Sequence, residues 1–143
     1  MHLFGNLCTI TTGLQTLNLS NNNIDDEGVD VLVGGLTNSN LRNLDLASNH
    51  NITSSGRQSV AALLRQPNSN LEVLNVYANN MGDEGALIFA NALARNCKLK
   101  ILKFRISDIS PEGWSHFSKV LCDASSINNT FLSNHTVERL GFL

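Results

Sequence analysis

Residues 71–81 read LEVLNVYANNM, and three other stretches repeat the pattern: LQTLNLSNNNI at 14–24, LRNLDLASNHNI at 41–52 and LKILKFRISDI at 99–109. Each fits L-x-x-L-x-L-x-x-N followed by an apolar residue, save that the fourth carries Ser107 in the asparagine slot. The first leucines stand at 14, 41, 71 and 99, giving periods of 27, 30 and 28 residues. A glycine follows each stretch, at 28, 56, 85 and 113, which is 14, 15, 14 and 14 residues after its leucine. Two registers that agree across four copies define an internal repeat of the length that builds stacked arrays.

Within each copy the leucines dictate a strand. Leu17/Leu19, Leu44/Leu46, Leu74/Val76 and Leu102/Phe104 lie two apart and so share one strand face. Strands this short need neighbours, which predicts a parallel sheet built by stacking. Asn22, Asn49 and Asn79 fall where the chain leaves the sheet, and a side-chain amide there can pair the backbone groups of the turn. The second half of each copy predicts a helix. Asp25, Thr53, Gly82 and Ser110 occupy the cap slot, Pro111 follows at the first helical position, and Glu27, Glu84 and Glu112 suit the first turn. Leu32/Leu36, Val60/Leu64, Phe89/Leu93 and Phe117/Leu121 then fall four and eight places after the glycine, one buried face of a helix. The missing Cβ of that glycine is expected to permit close packing.

The expected organisation is a single α/β domain over 1–143, with a partial repeat at 1–13, repeats at 14–40, 41–70, 71–98 and 99–126, and a degenerate repeat at 127–143. Leu3 and Leu7 match the last helix positions of the partial repeat, and Ile127, Thr130, Leu132, His135 and Val137 are read as the strand register of the last one. Neither end carries an evident polar cap, as terminal repeats require, so the chain reads either as a fragment of a longer array or as one whose ends a partner covers.

Composition narrows the function classes. The chain is 42% hydrophobic and carries a net charge of -2, so it is apolar enough to fold and has no global field for nucleic acid or an acidic membrane. No apolar run is long enough to span a bilayer, and Met1-His2-Leu3-Phe4 lacks the features of a secretory signal. Three sparse cysteines, Cys8, Cys97 and Cys122, lie in or next to core registers and read as reduced, packed thiols, which makes cytoplasmic the expected location. Four N-x-S/T matches, at Asn18, Asn51, Asn128 and Asn134, are read as chance in an asparagine-rich chain.

The strand-Asn-Ile-(Asp)-Asp-Glu-Gly-helix arrangement, with the Asn96-Cys97-Lys98-Leu99 entry to the fourth strand, resembles the ribonuclease-inhibitor-like class of leucine-rich repeats over about residues 14–125. The resemblance implies a solenoid shaped as a curved horseshoe, strands on the concave face and helices on the convex one. It implies protein binding, since the class includes intracellular inhibitors, innate immune sensor receptors and activators of small GTPases. It carries over no binding residues, because the shared motif is structural.

Alternation then names the concave positions: Thr16/Asn18/Ser20, Asn43/Asp45/Ala47, Val73/Asn75/Tyr77 and Ile101/Lys103/Arg105. The series begins small and polar and ends aromatic, apolar and basic. Residues 95–105 carry Arg95, Lys98, Lys100, Lys103 and Arg105 and no acid. Tyr77, Ile101, Lys103 and Arg105, with Val73 and Asn75 beside them, are therefore the candidate binding residues for a protein partner of acidic or mixed surface. The histidines and cysteines lack metal-type spacing, Gly34-Gly35 reads as a helix interruption without the residues of a phosphate loop, and the expectation is no catalytic residue, cofactor, metal or small-molecule substrate. A regulatory solenoid acting on an enzyme such as a small GTPase is the alternative, and nucleic-acid binding ranks last.

Overall fold

The computed structural model describes residues 13–121 and 134–142. Among them, five strands form one sheet in chain order: β1 (Thr16–Asn18), β2 (Asn43–Asp45), β3 (Val73–Asn75), β4 (Ile101–Arg105) and β5 (Arg139–Phe142). Every pairing is parallel. Parallel neighbours need crossovers, and the helices α1 (Asp26–Leu36), α2 (Ser54–Arg65), α3 (Gly82–Leu93) and α4 (Pro111–Leu121) follow β1 to β4 in turn. Each helix packs on the next, so strands make one layer and helices the other. This is the α/β solenoid that the repeat demands.

The register is the predicted one: Leu17, Leu44, Leu74, Leu102 and Leu140 are successive partners across the sheet. Leu44, Leu46, Leu74, Val76, Leu102 and Phe104 are buried, as are Leu32, Leu36, Val60, Leu64, Phe89, Leu93 and Phe117 from the helices. Both periodicities meet in one core. At its C-terminal end Phe104 stacks on Phe117, centroids 5.6 Å apart, with Trp114 tilted against both.

Asn49 and Asn79 are buried at the turns, with Asn49 fully enclosed. Asn49 Oδ1 accepts from the backbone of Asn22 (3.0 Å) and Ile24 (2.9 Å), and its Nδ2 donates to the carbonyls of Leu19 and Leu46. Asn79 Oδ1 accepts from Asn49 N (2.7 Å) and its Nδ2 donates to Leu46 O (2.7 Å). This is the ladder expected from the sequence; Asn22, at its end, is exposed. Three turns also place a residue in the left-handed region at one matching slot: Asn21, Ser48 and Ala78, at φ 58°, 57° and 58°.

Several expectations need correction. The fifth strand lies at 139–142, after Val137 rather than before it; Leu140 follows Leu102 by 38 residues, where the earlier strands are 27, 30 and 28 apart. Ile127, Thr130 and Leu132 lie outside the described residues, as do Leu3, Leu7, Cys8 and Cys122. Helix α1 runs through Gly34 and Gly35 to Leu36, since two glycines lower helix propensity without removing an N–H donor. Asp25 caps α1 by accepting from Gly28 N, but Thr53 makes no such bond at α2, because its hydroxyl donates to Asp26. Gly82 is the first residue of α3 rather than its cap, with φ +59°. Cys97 is exposed rather than packed.

Candidate protein-binding surface

The concave face is built by strand alternation. With Leu74, Leu102 and Phe104 turned inward, Val73, Asn75, Ile101 and Lys103 lie half-buried on the opposite face and Arg105 is exposed. Register sets Val73 beside Ile101 and Asn75 beside Lys103. The Arg105 guanidinium stands over the Tyr77 ring, 5.3 Å from its centroid, so the two residues expected to be neighbours form a cation–π pair. A hollow of about 310 Å³ runs across β1 to β4 and is lined by Asn43, Asp45, Val73, Asn75, Ile101 and Lys103 among others.

One slot shapes this face. Asn18, Asp45 and Asn75 each accept, through Oδ1, the backbone N–H two residues on (Ser20, Ala47 and Tyr77) at 2.9–3.0 Å. That side-chain turn ends the strand. Asn75 Nδ2 also donates to Asp45 Oδ2 at 3.0 Å, tying β3 to β2. Lys103 occupies the same slot in β4 and has no acceptor to offer. Accordingly β4 runs on to Arg105, which carries that guanidinium out along the face.

The basic run of residues 95–105 does not converge. Lys100 lies at the strand-entry edge, where Glu72 bridges it (3.0 Å) to Arg42 (2.6 Å). The Lys100 hydrogen bond, with the charges of Lys100 and Arg42, holds the Glu72 carboxyl below its ordinary value against the opposing effect of burial. Backbone hydrogen bonds connect the positions of Arg42, Glu72, Lys100 and Glu138 in order. The edge is therefore an alternating charge stripe, which no single repeat could reveal. Lys103 and Arg105 alone of the five basic residues sit on the concave strand positions. The register adds a third cation that sequence reading missed: Arg139 pairs with Ile101 in β5 and is exposed.

The convex side holds the array together. Asp26 accepts from the backbone of Thr53 (2.7 Å) and Gly56 (3.0 Å) and from the Thr53 hydroxyl, while Asp83 accepts from Ser110 N (2.8 Å) and its hydroxyl (2.5 Å). A Cβ at Gly56 or Gly113 would collide with the facing carboxylate, so the glycines make room for the preceding helix's aspartate. Burial raises the Asp26 pKa, but the bonds from Thr53 and Gly56 and the charge of Arg57 together lower it; the Ser110 bonds lower that of Asp83. Between α2 and α3 the Ser54 hydroxyl donates to Glu84, and Arg57 donates to the carbonyls of Ile52, Asn79 and Asn80, each at 3.3 Å, with its Nε buried and unpaired. Arg57 is thus a structural side chain.

A second asparagine pair was also missed. Asn96 Oδ1 accepts from Lys98 and Leu99, and Asn134 Oδ1 from Thr136 and Val137; their amides donate to Leu64 O and to Leu93 O and Asn96 O respectively. Asn134 heads one of the four N-x-S/T matches, and its amide is consumed inside the fold.

The repeats find their counterpart among known proteins. Residues 12–33, 37–61 and 68–90 match the family model described as Leucine Rich repeat. Among solved structures, Leiomodin-1 Actin-Binding Site 2 (ABS2) is similar, with a TM-score of 0.76 over 98% of this chain and 76% of that one. At 17% identity that likeness is one of fold. Matched segments, parallel register and buried asparagine turns agree, and the chain belongs to the leucine-rich repeat family.

Proposed function

We propose that this chain is a non-enzymatic protein-interaction module whose partner sits on the concave C-terminal strands. Tyr77 and Arg105 form the anchor, Ile101 and Lys103 flank it, and Val73 and Asn75 make the floor toward β2. The observation that carries the reading is the Arg105–Tyr77 stack on a concave sheet face. A rigid aromatic beside a guanidinium suits an interface hot spot, and the guanidinium favours a partner of acidic or mixed surface. No cofactor, metal or small-molecule substrate enters this reading. Among the described residues no helix is long and apolar enough to cross a membrane, and the sparse cysteines support a cytoplasmic setting.

The likeness in fold to an actin-binding site of leiomodin makes actin the first partner to try, by co-sedimentation, with affinity capture and mass spectrometry as the open search. Tyr77→Ala or Arg105→Ala weakens a true partner by about 1–2 kcal/mol or more, and Lys103→Ala slows association and blunts its salt dependence. Lys119→Ala, on an exposed position of α4, is the control. Binding that survives both anchor changes and is lost at Lys119 refutes the concave surface. A partner GTPase whose turnover rises with the chain added would instead favour the regulatory solenoid.

A further inference from the structure

We infer that the concave corner around Ile101 takes an extended acidic segment carrying an apolar side chain, with Arg139 of β5 as a specificity-determining residue. This rests on the interaction surface proposed above and names the chemistry of its partner.

The register assembles the corner from separate parts of the chain. Arg139 lies beside Ile101 on the next strand, about 4.8 Å away in the hydrogen-bonding direction. Lys103 lies two residues along β4 and Arg105 two further, over Tyr77. Three cations thus border the half-buried pair Val73 and Ile101, at one end of the concave hollow. Neither Arg105 nor Arg139 enters an ion pair among the described residues, where the two ion pairs are both with Glu72. Asp45 is committed to Asn75 and the Ala47 backbone and Glu72 to Arg42 and Lys100, while Glu138, the residue before Arg139, belongs to the strand-entry edge beside Lys100.

Three features select the occupant. The sign of charge changes along the face, from Asp45 in β2 through Asn75 in β3 to the cations of β4 and β5, so an acidic segment is drawn to the C-terminal strands only. Lys103 and Arg105 are alternate residues of one strand, spaced about 6.6–6.8 Å apart. That spacing is shared by alternate carboxylates on an extended chain. The arginines each offer a planar fork that a carboxylate fills with two hydrogen bonds. Ile101, ringed by these groups and adjoining Val73, leaves apolar surface that only an apolar side chain would cover favourably.

The probe is a fluorescein-labelled glutamate-rich peptide with one central leucine, followed by anisotropy against the full chain. A lysine-rich counterpart and a glutamate peptide with glycine for leucine are the comparisons. The acidic leucine peptide is expected to bind best, with affinity falling steeply as salt rises. Arg139→Glu is expected to weaken it about tenfold or more, Arg139→Lys to retain part of the affinity, and Ile101→Ser to erase the preference for leucine. Circular dichroism confirms that each variant keeps its fold. Equal binding of the lysine-rich peptide, no binding of the acidic one, or indifference to Arg139→Glu would overturn the inference. A natural partner that needs Tyr77 and Arg105 but ignores Arg139→Glu and the competing peptide would overturn this inference alone. A partner indifferent to Tyr77→Ala and Arg105→Ala would remove the interaction surface with it.

Discussion

The turns after β2 and β3 differ from the turn after β4, although all three begin with the same strand pattern. After β2 and β3 an Asp or Asn at the third strand position closes the strand by accepting the N–H two residues on. The next slot then enters the left-handed region, at Ser48 and Ala78, and a buried asparagine follows. After β4 the three slots hold Lys103, Ile106 and Ser107. Lysine cannot accept, β-branched isoleucine resists positive φ, and the serine is exposed. The chain extends β4 to Arg105 and turns instead through a 3₁₀ segment, Ile106–Asp108. The pairing of β4 with β5 shifts between Leu102 and Arg105, and Gly141 at φ +72° passes so close to Ile106 that a Cβ would meet Ile106 Cγ1 at 2.7 Å. Losing a regular turn is thus what lengthens the concave strand and presents Arg105. Regularity serves the array, and its interruption supplies the candidate site.

The strongest test of this contrast lies in the core. Leu74, fully buried between Leu44 and Leu102, should cost about 2–5 kcal/mol on truncation to alanine. The half-buried Leu140 of β5 should cost clearly less in the same denaturant titration. Equal losses would mean that the irregular end is packed as tightly as the middle.

The turns come next. Asn49→Ala leaves the backbone of Asn22, Ile24, Leu19 and Leu46 without its amide and should cost about 1–3 kcal/mol or somewhat more. Asn79→Ala, with fewer bonds, should fall at the low end of that range, and Ser107→Ala within about 0.5 kcal/mol of wild type. Asn80→Ala should cost less than Asn49→Ala and only through its φ of 50°. A Ser107→Ala loss comparable to Asn79→Ala would show that the fourth turn carries a hidden rung.

How much of this was legible follows from what each signal depends on. The strand leucines and helix faces were readable because their periods of two and 3.6 lie within one repeat. So were the asparagine ladder and the concave positions of Val73, Asn75, Tyr77, Ile101, Lys103 and Arg105, since they follow from alternation. What escaped reading lies between repeats. Arg139 was hidden by the longer spacing before β5. Glu72 neutralises Lys100 from 28 residues away, so a local basic run looked more coherent than it is. Asn134 read only as an N-x-S/T match, although its place three residues before the apolar Val137 repeats that of Asn96 before Leu99. The role of Arg57 lies between repeats too, since two of the carbonyls it reaches are 22 and 23 residues away.

A smaller effect separates the two kinds of turn through backbone strain. Ala78 holds φ 58° without being glycine, which costs about 1–2 kcal/mol. Ala78→Gly removes that strain but adds about 0.5–1 kcal/mol of unfolded-state freedom. Its net effect should lie between neutral and about 1 kcal/mol stabilising. Ile106→Gly, in a 3₁₀ turn that needs no positive φ, should destabilise by about 1–2 kcal/mol through lost packing and stiffness. If both changes act in the same direction, the difference in turn geometry is not what distinguishes the two regions.

The smallest expected effect concerns the convex side, where the same contrast appears in another form. The interfaces α1–α2 and α3–α4 are clasped by Asp26 and Asp83 on backbone N–H groups, whereas α2–α3 is clasped by Arg57 on backbone carbonyls together with the Ser54 hydroxyl on Glu84. Only the carboxylate bonds can be undone by acid, and at α2–α3 that is, among the described residues, the Ser54–Glu84 bond alone. The Ser110 hydroxyl and N–H hold the Asp83 carboxyl below its ordinary value, aided by the charge of His116 and opposed by burial. A folded-state pKa below the unfolded one means stabilisation that is fully present above the unfolded value, about 3.9, and is lost as pH falls through the folded value. Melting temperature should therefore drop from about pH 5 downward. Asp83→Asn should lower it at neutral pH and flatten that acid slope, and Ser110→Ala should flatten it too, by returning the carboxyl toward its ordinary value. Arg57→Met should lower the melting temperature at both ends of the range, because the bonds it removes involve no carboxylate. The effect is small because both aspartates are only half-buried, where screening by solvent weakens each bond. An acid slope unchanged in Asp83→Asn and Asp26→Asn alike would place the pH sensitivity elsewhere and leave the aspartate clasps as packing contacts alone.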